Sequence, residues 1–248
     1  MSNRLPPFTP HPLVRNPHVQ TLLGSRLGPP HRSDLEARSQ EMVLSLDVDG
    51  GVRLQGFYTP RPQNAANGKG LALLLHGWLG SVKSTYMLAV GDDLRRRGYA
   101  LFRLNMRDHG DTVALNEDMF HGCRLEEVFQ AARQVAALEP GSPFYIAGFS
   151  MGGNFALRLA WQHSLRPIPT LQGVVAVSPS IRPGKTLAAI DRSLPLYRHY
   201  FLLKWRRKLE QKQTAFPHRY DFSDLLTLKS SCAISERVIP RYTGFADT

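Results

Sequence analysis

The stretch Phe144-Tyr145-Ile146-Ala147-Gly148-Phe149-Ser150-Met151-Gly152-Gly153-Asn154-Phe155-Ala156-Leu157 decides the fold, because its pattern changes period within a few residues. Phe144–Ala147 is a short apolar run of the kind that forms a buried strand, and Gly153–Leu157 opens a helical pattern. Between them lies Gly-x-Ser-x-Gly. By chance alone that pentapeptide turns up in about one chain of this length in ten. Its position between a strand and a helix makes it informative. A serine on a tight strand-to-helix turn needs glycines on either side, where side chains would collide. Its hydroxyl then stands at the carboxyl edge of a sheet, in front of a helix N-terminus that favours developing negative charge.

Upstream, His76-Gly77-Trp78-Leu79-Gly80-Ser81 directly follows the apolar run Leu71–Leu75. A serine that attacks a carbonyl needs two N–H donors for the oxyanion. The spacing assigns one to the backbone of Met151, after the serine, and the other to the backbone of Trp78, in the earlier loop. His76 reads as structural at that loop position. Further out, Ala100–Leu104 and Val174–Val177 read as buried strands, with helices at Thr85–Arg97, Leu125–Leu138 and Gly152–His163. This alternation predicts a mostly parallel sheet with helices on both faces. Met42–Asp47 and Val52–Tyr58, joined by Asp49-Gly50-Gly51, read as a hairpin.

Composition narrows the remaining possibilities. In 248 residues, 42% hydrophobic, the longest apolar runs are about five residues, well short of the ~20 that cross a membrane. Met1–Pro12 lacks an apolar signal core, which leads to an expected cytoplasmic location. Cys123 and Cys232 cannot form a disulfide framework, and no metal-ligand spacing occurs. The net charge is +11, and Arg182–Arg219 alone carries ten basic and two acidic residues. Within it, Pro195–Gln211 reads as a helix with Tyr197, Phe201, Trp205 and Leu209 on one side and Arg198, Arg206, Arg207 and Lys208 largely elsewhere. Such a basic insertion suits a cap over a pocket or a membrane-surface helix. Seven of the eighteen prolines fall within residues 1–40, so an extended arm is expected there.

The elbow, the oxyanion loop and their order resemble the α/β-hydrolase superfamily, and more narrowly its YheT-like branch. The narrower likeness is carried by Asn16-Pro17-His18-Val19-Gln20-Thr21, Asn105-Met106-Arg107-Asp108-His109-Gly110, Gly152-Gly153-Asn154 and Tyr242-Thr243-Gly244-Phe245-Ala246-Asp247. The resemblance implies hydrolysis of carboxylic esters, with short- to medium-chain acyl esters or lipids as substrates and no cofactor. The organisation expected is an arm (1–40), an α/β-hydrolase core (41–180), a basic helical cap (181–230) and the start of a return to the core (231–248).

A serine nucleophile also needs a base and an acid, which in this fold follow it on loops after later strands. Only 98 residues follow Ser150, and two more βα units would need about 60. Neither an apolar strand ending in Asp nor a later one ending in His is present. His163, His199 and His218, like Asp191, Asp221 and Asp224, occupy helix or cap positions, while Asp108 and His109 sit at the carboxyl edge. No triad acid or histidine is therefore assigned, and the chain reads as truncated before its last strands and inactive alone. The competing reading is a non-catalytic protein that docks an anionic membrane or nucleic acid through the basic cap. Peripheral contact with an anionic membrane ranks ahead of nucleic acid. An acyltransferase using the same serine would differ only in its acceptor.

Overall fold

The computed structural model describes residues 9–26, 34–63 and 68–245. Parts of the expected arm, and Ala246-Asp247 of the tail motif, lie outside the described residues. The elements run α1 (Pro17–Arg26), β1 (Gln40–Leu46), β2 (Val52–Thr59), β3 (Gly70–Leu75), α2 (Thr85–Arg96), β4 (Tyr99–Leu104), α3 (Leu125–Ala136), β5 (Phe144–Phe149), α4 (Met151–Leu165), β6 (Leu171–Val177), α5 (Pro183–Asp191), α6 (Pro195–Ala215) and α7 (Ser231–Thr243). The six strands form one sheet in the order β1-β2-β4-β3-β5-β6. β1 and β2 are an antiparallel hairpin that adds antiparallel to β4, and the remaining pairings are parallel.

Burial accounts for the strand sequences. β3 is central and covered on both faces, so every residue of Gly-Leu-Ala-Leu-Leu-Leu is buried and the run does not alternate. Helices α3 and α4 supply Val128, Phe129, Val135, Phe155 and Leu159 to the main core on one face. On the other face Leu88 and Leu94 of α2 pack with Leu35, Ala72 and Leu101. The hairpin turns where Asp49, Gly50 and Gly51 take positive φ (49°, 80° and 110°), and Gly51 N–H donates to Val48 O at 2.9 Å.

Two expectations are corrected. The arm is not extended throughout, because Pro17–Arg26 is helical. Its proline occupies the first helical position, where the missing N–H costs nothing and the fixed φ suits a helix. Residues 231–243 do not return to the sheet. They form α7, whose Ile234 and Val238 join Leu202, Leu209, Tyr220, Phe222 and Leu225 in a second core belonging to the cap segment. The α7 N-terminus is held by Asp191, whose carboxylate accepts from Ser230 Oγ (2.6 Å), Ser231 N (3.0 Å) and Cys232 N (2.8 Å).

The cap segment is fastened to the sheet by lysines one helical turn apart on α6. Lys204 Nζ donates to Leu79 O (3.0 Å), Lys208 Nζ to Gly110 O (2.7 Å), and Lys212 Nζ to Asp108 Oδ1 (2.9 Å) and Asn116 O (2.7 Å). Lys212 is almost completely buried, with its ammonium also 4.8 Å from the Phe216 ring centre. At the opposite end of the sheet from the hairpin, β6 is an edge that exposes Val175 and Val177, and α4 exposes Leu157, Trp161 and Leu165 at four-residue intervals.

Removing the Lys212 ammonium strands a carboxylate and a carbonyl that it satisfies. Lys212→Ala is expected to lower the unfolding free energy by about 3 kcal/mol or more. Arg207→Ala, on the exposed side of the same helix, should change it by less than about 0.5 kcal/mol. Urea denaturation of both variants checks the contrast.

Candidate active site

The site is assembled by backbone contact between the ends of β5 and β3. Ser150 takes φ 52° and ψ −113° as the residue before α4, a conformation costly for any residue with a side chain. Its N–H donates to Val177 O (3.0 Å), and its carbonyl accepts from Asn154 N (3.0 Å) and Ser180 N (3.1 Å). A Cβ on Gly148 would stand 2.1 Å from Gly152 O, and one on Gly152 would stand 2.3 Å from Leu75 O. The flanking glycines are therefore required by contact with main chain, which cannot move aside as a side-chain tip can. The serine side chain is left exposed at the carboxyl edge of the sheet. Met151 opens α4, so its N–H belongs to the set that no helical carbonyl satisfies.

The loop after β3 lies directly alongside. A Cβ on Gly77 would be 3.3 Å from Ser150 Cβ and 3.5 Å from Tyr86 Oη. Gly80 N–H donates to Gly77 O at 3.0 Å, closing a turn whose central residues are Trp78 and Leu79. Such a turn uses neither central N–H. Leu79 carries the positive φ (56°) that a turn of this kind demands. Gly77 O also accepts from His76 Nδ1 at 2.8 Å, while His76 Nε2 accepts from Met106 N at 3.2 Å. His76 thus pins the Gly77–Trp78 peptide by its carbonyl. Because that peptide is trans, the Trp78 N–H is directed the opposite way. Burial lowers the His76 pKa to about 4, so the ring is neutral, with its proton on Nδ1.

Tyr86 is a participant that sequence reading misses. Its hydroxyl accepts the buried Gly77 N–H at 2.8 Å, and its ring packs 4.9 Å from Phe149, tying the loop to the elbow. No local pattern marks it, since it lies on α2, nine residues beyond Gly77. The Trp78 ring stacks on Phe201 at 6.0 Å and meets Trp205 edge-on at 5.6 Å, so α6 holds the same loop from outside.

Most of the candidate histidines and acids are bonded elsewhere. His109 is buried, with Nδ1 against Arg107 O (2.7 Å), its ring 4.8 Å from His76, and its pKa driven well below normal by burial. Asp108, beside it, is committed to Lys212 and to Phe120 N. His163 accepts from Ile168 N (2.9 Å), His218 pairs with Glu117 (2.7 Å), and His199 is exposed on α6. Asp191 caps α7, Asp221 accepts from Ser223, and Asp224 pairs with Arg241. Among the described residues no histidine hydrogen-bonds Ser150. A cavity of about 20 Å³ beneath α6, lined in part by Trp78, His109, Phe120 and Lys208, has room for about one water. A polar groove of about 550 Å³ lies beside Leu79–Ser84 and does not include Ser150. No group of three or more His, Cys, Asp or Glu among the described residues is placed to hold a metal ion.

The comparisons agree with this architecture. A family model described as the alpha/beta hydrolase fold matches residues 72–240, and the chain belongs to that family. Among solved structures, the esterase Pf2001 of Pyrococcus furiosus is 21% identical, with a TM-score of 0.50 over 71% of this chain and 68% of its own. Est1E of Butyrivibrio proteoclasticus, solved with ferulic acid bound, is 23% identical over 59% of this chain and 56% of its own, with a TM-score of 0.48. Brefeldin A esterase, described as a bacterial homologue of human hormone-sensitive lipase, is 20% identical over 61% and 42%, with a TM-score of 0.45. At 21% identity the likeness to Pf2001 speaks to the fold alone. The chain spans about half the length of the latter two proteins. None of the curated proteins matches it significantly.

Two substitutions probe the assembly. Gly148→Ala should destabilise by about 3 kcal/mol or more, because its Cβ meets main chain. Gly184→Ala, with nothing within 4 Å, should stay within about 0.5 kcal/mol. His76 gives a pH signature. With the folded pKa depressed from 6.5 to about 4, only the unfolded chain takes up a proton between those values. Stability should therefore be unaffected by this group above pH 6.5 and fall by about 3 kcal/mol on its account as pH drops to 4. Urea midpoints across that range should show a shallower fall in His76→Asn.

Proposed function

We propose that this protein is a serine-nucleophile hydrolase of carboxylic esters, acting through an acyl-enzyme on Ser150. One observation carries the reading: a strained, exposed serine at a helix N-terminus stands against a turn whose two central N–H groups take no part in its hydrogen bond and whose peptide is pinned from behind by His76. Ser150 Oγ attacks the ester carbonyl, and the oxyanion is received by the N–H groups of Met151 and Trp78. The alcohol leaves with a proton, and water then releases the acid from the serine. Short- to medium-chain acyl esters or lipid esters are the substrates proposed, with no cofactor, and the narrower family likeness is to the YheT-like branch.

The base and acid are proposed to come from outside the described residues. No described histidine hydrogen-bonds Ser150. The exposed apolar edge at Val175 and Val177 supports the attachment of further structure beside the serine. On this reading the chain by itself has an elbow and an oxyanion hole without a base. An added base should then substitute. Hydrolysis of p-nitrophenyl butyrate by the folded chain is expected to rise with imidazole concentration above the rate of imidazole alone. The residual advantage expected of oxyanion stabilisation and binding without a base is about 10³-fold over water. Ser150→Ala should abolish the rise with imidazole beyond that of imidazole alone, leaving only the advantage that needs no nucleophile. Equal rates for the two proteins at every imidazole concentration would contradict the proposal.

A further inference from the structure

We propose that the outward face of the α5–α6 segment is a docking surface for an anionic lipid bilayer, set beside Ser150 so that a lipid ester is met at the membrane. Two independent observations point to this occupant. The first is a difference in how cations are used. Among the described residues, seven of the twelve arginines from Arg38 to Arg166 pair with carboxylates, as in Arg38–Asp34, Arg97–Asp93, Arg107–Glu127 and Arg166–Glu126. From Arg182 to Lys208 there are eight cations, and none forms an ion pair among the described residues. The single acid of that stretch, Asp191, is spent on the start of α7. Arg192, Lys204, Arg206 and Lys208 donate to main-chain carbonyls, whereas Arg182, Lys185, Arg198 and Arg207 stand exposed.

The second observation is apolar. Leu196, Tyr200 and Leu203, at i, i+4 and i+7 on α6, are 57%, 52% and 42% exposed, and Leu194 just before them is 49% exposed. The opposite face of the helix is already engaged, with Phe201 and Trp205 on Trp78 and with Leu202 and Leu209 in the cap core. A helix that buries one face in protein and shows leucines and a tyrosine among cations that pair with no carboxylate fits an anionic interface, where both charge attraction and apolar burial contribute. The surface adjoins the elbow through Ser180, whose N–H donates to Ser150 O, and through the Trp78–Phe201 stack. No helix among the described residues is long and apolar enough to cross a membrane, so contact would be peripheral.

Only the delivery of substrate rests on the hydrolase reading. Bilayer binding asks nothing of Ser150, so either idea can fail without the other. The test is co-sedimentation of the chain with vesicles of phosphatidylcholine plus phosphatidylglycerol, against vesicles of phosphatidylcholine alone. Binding is expected to the anionic vesicles and to be lost at about 1 M salt, where screening acts within about 3 Å. Arg182→Gln/Arg207→Gln should lower the partition coefficient about 25-fold, at about fivefold per cation. Leu196→Ser/Leu203→Ser should lower it at least about tenfold, with circular dichroism confirming that each variant is folded. Three results would overturn the proposal. One is no preference of the folded protein for anionic vesicles. Another is DNA binding as tight as vesicle binding and unaffected by the leucine changes, which would assign the cations to nucleic acid. The third is a dimer abolished by the leucine changes without vesicle binding, which would assign the stripe to a second copy.

Discussion

The contact on which the site depends is main chain against main chain, where the Gly148–Gly152 turn presses on the end of β3 at Leu75 and His76. Close approach without side chains lets β5 stop, reverse into α4 and leave Ser150 projecting, all within about five residues. The same approach places Gly77 beside Ser150 and so brings two loops far apart in sequence to one carbonyl-sized space. The cost is a serine and a leucine, Ser150 and Leu79, held at positive φ. Such strain persists where the surroundings over-determine it. Here the determinants are the hydrogen bonds from Ser150 N to Val177 O and from Gly80 N to Gly77 O, the buried imidazole of His76, and the hydroxyl of Tyr86.

A second constraint acts from the cap side. Lys204, Lys208 and Lys212 convert a run of positive charge into three attachments to carbonyls and one carboxylate around the carboxyl edge of the sheet. One of these carbonyls belongs to Leu79, within the turn proposed to receive the oxyanion. The cap segment is therefore coupled to the loop that would stabilise the reaction, both by that hydrogen bond and by the Trp78 stack. Much of the basic helix is structural, and the exposed cations left over are Arg198 and Arg207 on it and Arg182 and Lys185 at the start of α5.

How much of this was legible depends on whether the signal is local. The strands and helices from Leu71 to Val177 fall within a few residues of their expected bounds, because apolar periodicity and burial coincide there. The elbow was readable because a strand, a glycine-flanked serine and a helix adjoin in sequence. Two elements were obscured by proline. Pro17 suggests an arm where it starts a helix, and Pro240 breaks the pattern of α7, whose stability comes from Asp191 forty residues earlier and from Ile234 and Val238 in the cap core. Charge counting registers the excess of the Arg182–Arg219 segment but not its partners, since backbone carbonyls have no sequence signature. Tyr86 escaped for the same reason, because its partner is a backbone N–H.

The most direct test is the position of covalent modification after the folded chain reacts with a fluorophosphonate in the presence of imidazole. Peptide mass spectrometry should place the phosphonyl group on Ser150 in preference to every other serine, with a rate that increases with imidazole and vanishes in Ser150→Ala. Modification spread evenly over the serines, or absent from Ser150 while the protein remains folded, would contradict an elbow built to present a nucleophile.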